Sequence, residues 1–158
     1  CAKFRKNHFE GVLDVMDRLT NIVKPTKIFM GNKDFQQLLL VKKFLKKKYN
    51  TDVVGCKTIR DKNKIALSSR NYLLSKANLV LASNIVRKLI NVKKNIKNKK
   101  NKNKYLLSVK KDFQKQFKIK IEYLELRDTN TLKLSNVIST SRLFVAYYLN
   151  GVRLIDNL

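Results

Sequence analysis

The segment from Lys27 to Cys56 constrains this chain more than any other. Lys27-Ile28-Phe29-Met30 is a short, mostly apolar run stopped by Gly31, which predicts a buried strand. A helix is expected over about Lys33 to Lys48. Leu38, Val41, Phe44 and Leu45 share one of its faces. Lys42, Lys43, Lys46, Lys47 and Lys48 crowd the other side and the C-terminal end, where positive charge suits the helix dipole. Val53-Val54-Gly55-Cys56 reads as a second strand. Strand, helix and strand within about thirty residues make a βαβ unit, which predicts a parallel sheet. Ligands of open parallel sheets sit beyond the C-terminal ends of the strands. Gly31 to Lys33 follows one such end and Lys57 to Arg60 the next, so these are the places to look for a nucleotide.

The flanks complete an α/β reading. From Phe9 to Val23, the residues Val12, Val15, Met16, Leu19, Ile22 and Val23 recur at helical spacing, with Asp14 and Asp17 on the other side, and Pro25 ends the helix. After Asn71 the character changes. Ser75 is a natural N-cap for a helix carrying Leu79, Ala82, Val86, Leu89 and Ile90 on one side, and a further amphipathic helix is expected near Tyr105 to Gln116. Phe117, Ile119, Ile121 and Tyr123 alternate with Lys118, Lys120 and Glu122, the pattern of a half-buried strand. The phase slips at Leu124 and Leu126, which suggests a bulge or burial on both faces. Leu143 to Leu149 and Val152 to Ile155 read as strands joined by a tight Asn150-Gly151 turn. Two domains are therefore expected: residues 1–71 with a parallel sheet, and residues 72–158 as a small α+β domain with antiparallel strands.

Charge offers a competing reading. Lys and Arg number 36 against 11 acids, a net charge of +25, and such a field attracts nucleic acid or an anionic membrane. The excess is mostly Lys, however, and travels with Asn and Ile, the residues that AT-rich codons encode. Lys93 to Lys104 holds seven Lys, four Asn and one Ile, and is expected to be a solvated helix end or loop. A nucleic-acid module calls for exposed aromatics among the basic residues. Phe29, Phe44, Phe113 and Phe144 instead lie at apolar, core-like positions. A nucleic-acid partner is thus the second choice. No apolar run is long enough to span a membrane, and no secretory leader is evident. Cys1 and Cys56 are isolated and His8 is the single histidine, so no metal site is expected; free thiols suit a reducing cytoplasm. The chain opens on Cys1, an odd natural start that suggests a truncation.

Two blocks carry chemistry. In Gly31-Asn32-Lys33-Asp34-Phe35-Gln36-Gln37, Lys33 stands where a strand passes into a helix, a place already favourable to anions. Gly31 allows close approach to the backbone. Asp34 has two readings, helix cap or acceptor for a ribose hydroxyl. Gln37, one turn on, offers both donor and acceptor, which suits a hydroxy acid. In Ala66-Leu67-Ser68-Ser69-Arg70-Asn71, two hydroxyls stand beside a guanidinium able to grip phosphate through two bonds. The plainer readings are a helix-start acid with surface glutamines, and a polar interdomain turn. Neither block is a Walker A loop or a Rossmann glycine fingerprint.

Together the blocks resemble the pantothenate synthetase (pantoate–β-alanine ligase) family of the nucleotidyltransferase superfamily. His8-Phe9-Glu10-Gly11-Val12 resembles its H-F-x-G-V helix start, and Met30 to Gln37 its F-G-E-K-D-F-Q-Q. Val54-Gly55 with Thr58-Ile59-Arg60 is similar to V-G-V-P-T-V-R, and Ala66 to Asn71 to the signature loop A-L-S-S-R-N. Tyr123 to Asp128 and Arg153 to Asn157 match its C-terminal domain. The fold this implies is the second half of a Rossmann-like sheet of the HIGH superfamily, followed by a small lid-like domain.

The activity it implies is ATP-dependent condensation of pantoate with β-alanine through a pantoyl adenylate, with Mg²⁺ accompanying ATP. Lys33, Ser68, Ser69 and Arg70 would be the catalytic set on the phosphates. Gly31, Asp34, Ile59 and Leu67 would complete the ATP site, with Ile59 beside adenine through its backbone. Gln37 and Met30 would bind pantoate, and a homodimer is expected.

The sequence also departs from the pattern. The family's N-terminal part, with its HIGH-like motif, a second pantoate-binding glutamine and the acidic Mg²⁺ region, has no counterpart here, so this chain by itself is expected to be inactive. Asn32, Met30, Lys57 and Lys64 replace the common Glu, Phe, Pro and Gly. Lys64 should stiffen the loop's hinge. A non-catalytic remnant of the ligase is a further reading. For His8 a structural or supporting role is expected, since spacing supplies no nucleophile for it to serve.

Overall fold

The computed structural model describes residues 7–158. The chain divides into two compact units, one ending at Thr58 and the other spanning Ile59–Leu158. The fold is α/β, with a two-stranded parallel sheet in the first unit and a three-stranded antiparallel sheet in the second.

In the first unit, α1 (His8–Val23) stops where Lys24 turns left-handed (φ 48°) and returns its N–H to the Thr20 carbonyl at 2.8 Å. β1 (Lys27–Gly31) pairs in parallel with β2 (Asp52–Cys56), setting Ile28 opposite Val53 and Gly31 opposite Cys56. Between them lie a 3-10 turn (Asn32–Asp34) and α2 (Phe35–Tyr49). Leu38, Val41 and Leu45 are buried with Val53, and Phe44 packs beside them half-buried, so the face expected of this helix is the one that packs.

Two expectations for this unit need correction. Only part of the apolar stripe of α1 is covered: Val12, Leu13 and Met16 pack on α2 and the sheet, whereas Val15, Leu19, Ile22 and Val23 are exposed. Asp17, expected on the polar side, is drawn to the last turn of α2, where Lys48 Nζ (2.7 Å) and the Tyr49 hydroxyl (2.7 Å) both donate to its carboxylate. Phe29, expected in the core, is 67% exposed. The period-2 alternation of β1 turns Ile28 and Met30 toward the core and leaves Phe29 on the opposite face, as β2 does with Val54.

The second unit is built from α3 (Lys76–Asn95), α4 (Lys102–Phe117), β3 (Lys120–Asp128), β4 (Ser141–Leu149) and β5 (Val152–Asn157), with sheet order β3-β4-β5. Ser75 caps α3 as expected, accepting from the Asn78 N–H at 3.2 Å. Of the two forms expected of the Lys/Asn run, the mostly exposed helix end is the one found. The run closes α3, forms a 3-10 turn pinned by fully buried Ile96, and starts α4, where Asn101 Oδ1 accepts from the Lys104 N–H at 2.9 Å. β3 begins only at Lys120, after left-handed Lys118, so Phe117 belongs to α4. The slipped phase in β3 is a bulge between Ile121 and Tyr123, beyond which Leu124 and Leu126 are buried. Asn150 (φ 46°) and Gly151 (φ 77°) make the tight turn into β5.

The division between units falls earlier than the expected boundary near Asn71. Ile65 and Leu74 are buried in the core of the second unit, which carries the segment from Ile59 onward with it. Among the described residues no helix is long and apolar enough to cross a membrane.

Candidate functional site

The C-terminal end of β1 carries the first candidate block. Gly31 is extended (φ −69°), and a Cβ there would meet nothing within 4 Å. Neither backbone conformation nor packing requires glycine at this point; its effect is open space beside the strand end. Gly55 differs, since a Cβ on it would collide with the Asn32 side chain and press on Leu38. The Lys33 side chain is mostly covered, with Nζ 3.8 Å from Asp34 Oδ2. Asp34 occupies the N-cap position of α2 without making the cap hydrogen bond, and half of its side chain remains exposed. The cap reading of Asp34 therefore fails, and its carboxylate stands beside the lysine at the strand end.

Gln37, one turn into α2, lines an open, groove-like cavity of about 490 Å³ together with His8, Gly11, Val12, Val15 and Met16 of α1. The wall is apolar along the valines and Met16, and the polar groups of Gln37 and His8 share it. Met30 packs instead on the core around Leu38 and Val53. The histidine from the family-like helix start and the glutamine from the β1 block thus line one cavity, which their separation in sequence does not reveal.

The second candidate block is the segment Ile59–Asn71, which belongs to the second unit. Arg60 and Ala66 form an antiparallel bridge, and Leu67 N–H donates to the Ile59 carbonyl at 3.0 Å. Asp61 ties the intervening turn by accepting from the Asn63 and Ile65 N–H groups, each at 2.9 Å. Lys64 takes φ 70°, the left-handed conformation that a glycine would adopt freely. Ser68 Oγ accepts from the Arg70 N–H at 3.3 Å, opening a 3-10 turn over Ser69–Leu73. Ser69 and Leu67 are exposed, and the half-buried Arg70 donates one N–H to the Arg153 carbonyl at 3.1 Å. Asn71 Nδ2 donates to the Ala66 carbonyl at 3.1 Å, closing the segment on itself.

Beneath this segment lie ion pairs that pattern reading missed. Arg60 grips the buried Asp156 carboxylate with both arms, at 2.7 and 2.8 Å, and this pairing holds its guanidinium more firmly protonated against the opposing effect of burial. The two residues are 96 positions apart, so spacing gave no signal; both lie in stretches that resemble the family. Arg153 likewise reaches Glu122, with Nη2 at 2.7 Å, while the Tyr148 hydroxyl donates to the same carboxylate at 2.8 Å. The Arg153 hydrogen bond above all, with Tyr148 adding to it, keeps Glu122 below the usual glutamate range despite its burial. Among the described residues no three His, Cys, Asp or Glu side chains gather as a metal site would require.

The sequence model of the family described as "Pantoate-beta-alanine ligase" matches residues 1–158. The chain belongs to that family. The family member "Pantothenate synthetase" of Flavobacterium psychrophilum is 39% identical over 161 residues, covering 99% of this chain and 57% of that protein. The enzyme of the same name from Leptospira interrogans is 37% identical, covering 100% of this chain and 56% of the relative. Among solved structures, pantothenate synthetase from Thermus thermophilus superposes with a TM-score of 0.89 at 30% identity, covering 99% of this chain and 58% of that one. Pantoate-beta-alanine ligase from Francisella tularensis, complexed with beta-gamma ATP and beta-alanine, gives a TM-score of 0.75 at 31% identity, covering 99% of this chain and 52% of that one. The chain thus spans between half and three-fifths of the length of these family members.

Proposed function

We propose that this chain forms part of an ATP-dependent ligase that joins pantoate to β-alanine. The observation that carries this reading is the cavity shared by Gln37 and His8, walled by Val12, Val15 and Met16 and one helical turn from Lys33. A branched hydroxy acid needs such a lining: an apolar surface for its body and an amide to fix its hydroxyl and carboxylate. Asp34, uncapped and half exposed, is placed to accept from a ribose hydroxyl beside the open space at Gly31.

In the first step a pantoate carboxylate oxygen attacks the α-phosphorus of ATP. The bond to the bridging oxygen breaks, and pyrophosphate leaves with the electron pair. In the second step the β-alanine amine attacks the acyl carbon, a C–N bond forms, AMP departs and the amine loses a proton. Neither step needs a covalent nucleophile from the protein; positioning and charge stabilisation suffice. Lys33 is assigned to phosphate charge. Ser68, Ser69 and Arg70 are assigned the same task, with Ile59 and Leu67 presenting backbone beside the nucleoside. Ile59 is 65% exposed, and its carbonyl accepts one bond, from the Leu67 N–H, which holds the two backbones side by side. Met30 is assigned a place in the pantoate wall, which requires that it turn one edge away from the core. Magnesium would travel with the triphosphate, since hard cations on nucleotides take few protein ligands.

The same reading makes the first unit the C-terminal part of a Rossmann-like nucleotide-binding domain and the second a lid-like domain, in a cytoplasmic homodimer. Pantoate-dependent ATP–pyrophosphate exchange by the full-length protein carrying residues 1–158 tests it. Exchange that depends on pantoate and falls at least about a hundredfold in Lys33→Ala is expected. No exchange by a folded protein overturns the reading.

A further inference from the structure

Resting on the ligase reading, we propose that Asp156 is a positioning residue for the phosphate-holding segment Ser68–Arg70, acting through Arg60. Asp156 lies on β5, far in sequence from the segment, and is 5% exposed. A buried carboxylate needs a cation and hydrogen bonds to remain charged. Asp156 has both: the two-armed grip of Arg60, and the Asn157 N–H at 2.7 Å. Arg60 directs further donors to the same hairpin and strand, with Nη1 on the Lys64 carbonyl at 3.0 Å and Nη2 on the Asn157 carbonyl at 3.3 Å.

The guanidinium therefore fixes both ends of the turn Arg60–Lys64 against β5. Two residues further on, Ala66 pairs back with Arg60, and Ser68 follows directly. Downstream, Arg70 meets β5 again at the Arg153 carbonyl. From α3, Ser83 Oγ donates to the Asn63 carbonyl at 3.0 Å and steadies the tip of the turn. One strand thus holds the segment before and after its two serines. A planar, two-armed ion pair sets direction as well as distance, which suits it to aiming a loop that must meet a phosphate. Asp156 makes no contact with the segment itself among its hydrogen bonds, so its influence passes through Arg60.

Asp156→Asn preserves the side chain's shape and removes its charge. In pantoate-dependent exchange by the full-length protein, it should raise the KM for ATP about tenfold or more while moving the KM for pantoate less than about twofold. Arg60→Lys keeps the cation but loses the fork, and should give the same split; it also serves if Asp156→Asn does not fold. On an Arg60→Ala background, Asp156→Asn should add nothing further to the KM for ATP. A fall in kcat with both KM values unchanged, the mark of a smaller folded fraction, overturns the proposal. If the wild-type protein shows no exchange, the ligase reading fails, and amide hydrogen exchange decides on Asp156 by itself. Asp156→Asn should then speed the Leu67, Arg70 and Asn71 amides about tenfold more than those of β4. Equal acceleration in the two places overturns the proposal.

Discussion

The two units of this chain solve the same problem with unequal means. The second buries nineteen residues in one apolar cluster, drawn from two helices, three strands and the segment that precedes them. Among the described residues, the corresponding cluster of the first buries four, Leu38, Val41, Leu45 and Val53, and Val15, Leu19, Ile22, Val23 and Phe29 are exposed. Burial of apolar area is the dominant favourable contribution to folding, so stability is concentrated in the second unit. The first contributes a strand end with Gly31, Lys33 and Asp34, and the Gln37 cavity. The proposed phosphate-binding segment is built on the stable unit and the candidate pantoate cavity on the weaker one.

Substitutions that probe this inequality differ widely in effect. The largest is expected from Leu89→Ala, at a fully buried position of α3, which should lower the unfolding free energy of the second unit by about 3 kcal/mol in denaturant titration. Leu19→Ala in α1, where the leucine is 51% exposed, should stay within about 0.5 kcal/mol. Equal effects would erase the contrast.

Next comes Glu122→Gln, which leaves Arg153 without its charged partner and should cost about 2 kcal/mol. The fold depresses the Glu122 pKa, chiefly through Arg153. Its stabilising contribution is therefore complete above the usual glutamate range and is lost as pH falls through the lower folded value. Melting temperature should drop on acidification below about pH 4, and the glutamine variant should flatten that part of the profile. An identical acid profile in wild type and variant would assign the acid sensitivity elsewhere.

A smaller gain is expected from Lys64→Gly. Lys64 holds φ 70° at some energetic cost, and glycine should raise stability by about 1 kcal/mol. The smallest effect on stability belongs to Asp34→Ala. Because Asp34 makes no cap hydrogen bond, its loss should change the unfolding free energy by less than about 0.5 kcal/mol, while raising the KM for ATP. A full capping loss of about 1 kcal/mol would restore the cap reading.

Local pattern disclosed much of this fold. The Ser75 cap, the slipped phase in β3 and the Asn150-Gly151 turn were legible because each depends on neighbours within a few residues, and the βαβ unit because its three elements follow one another directly. The stripe on α1 misled for a reason of the same kind. Helical spacing reports which residues are apolar, not which part of the stripe finds a partner: Val12, Leu13 and Met16 meet the core while Val15, Leu19, Ile22 and Val23 do not. Phe29 misled because a run of apolar residues in a short strand hides its alternation. In the candidate site, Gly31, Lys33, Asp34 and Ser68 to Arg70 were legible as residue types. The shared lining of one cavity by His8 and Gln37 and the Arg60–Asp156 grip were not, because both depend on tertiary placement. At Lys64 the place where glycine is common was legible, but not that the lysine itself takes the left-handed conformation there.

The most direct test of the contrast between the units is native-state hydrogen exchange along residues 7–158. The amides of Asp61, Ile65, Leu67 and Asn71, all hydrogen-bonded within the segment, should open with the same free energy as those of β4 and β5, and above those of α2. If they instead open together with α2 and β2, the proposed phosphate-binding segment belongs to the weaker unit, and the division of labour argued from the cores is wrong.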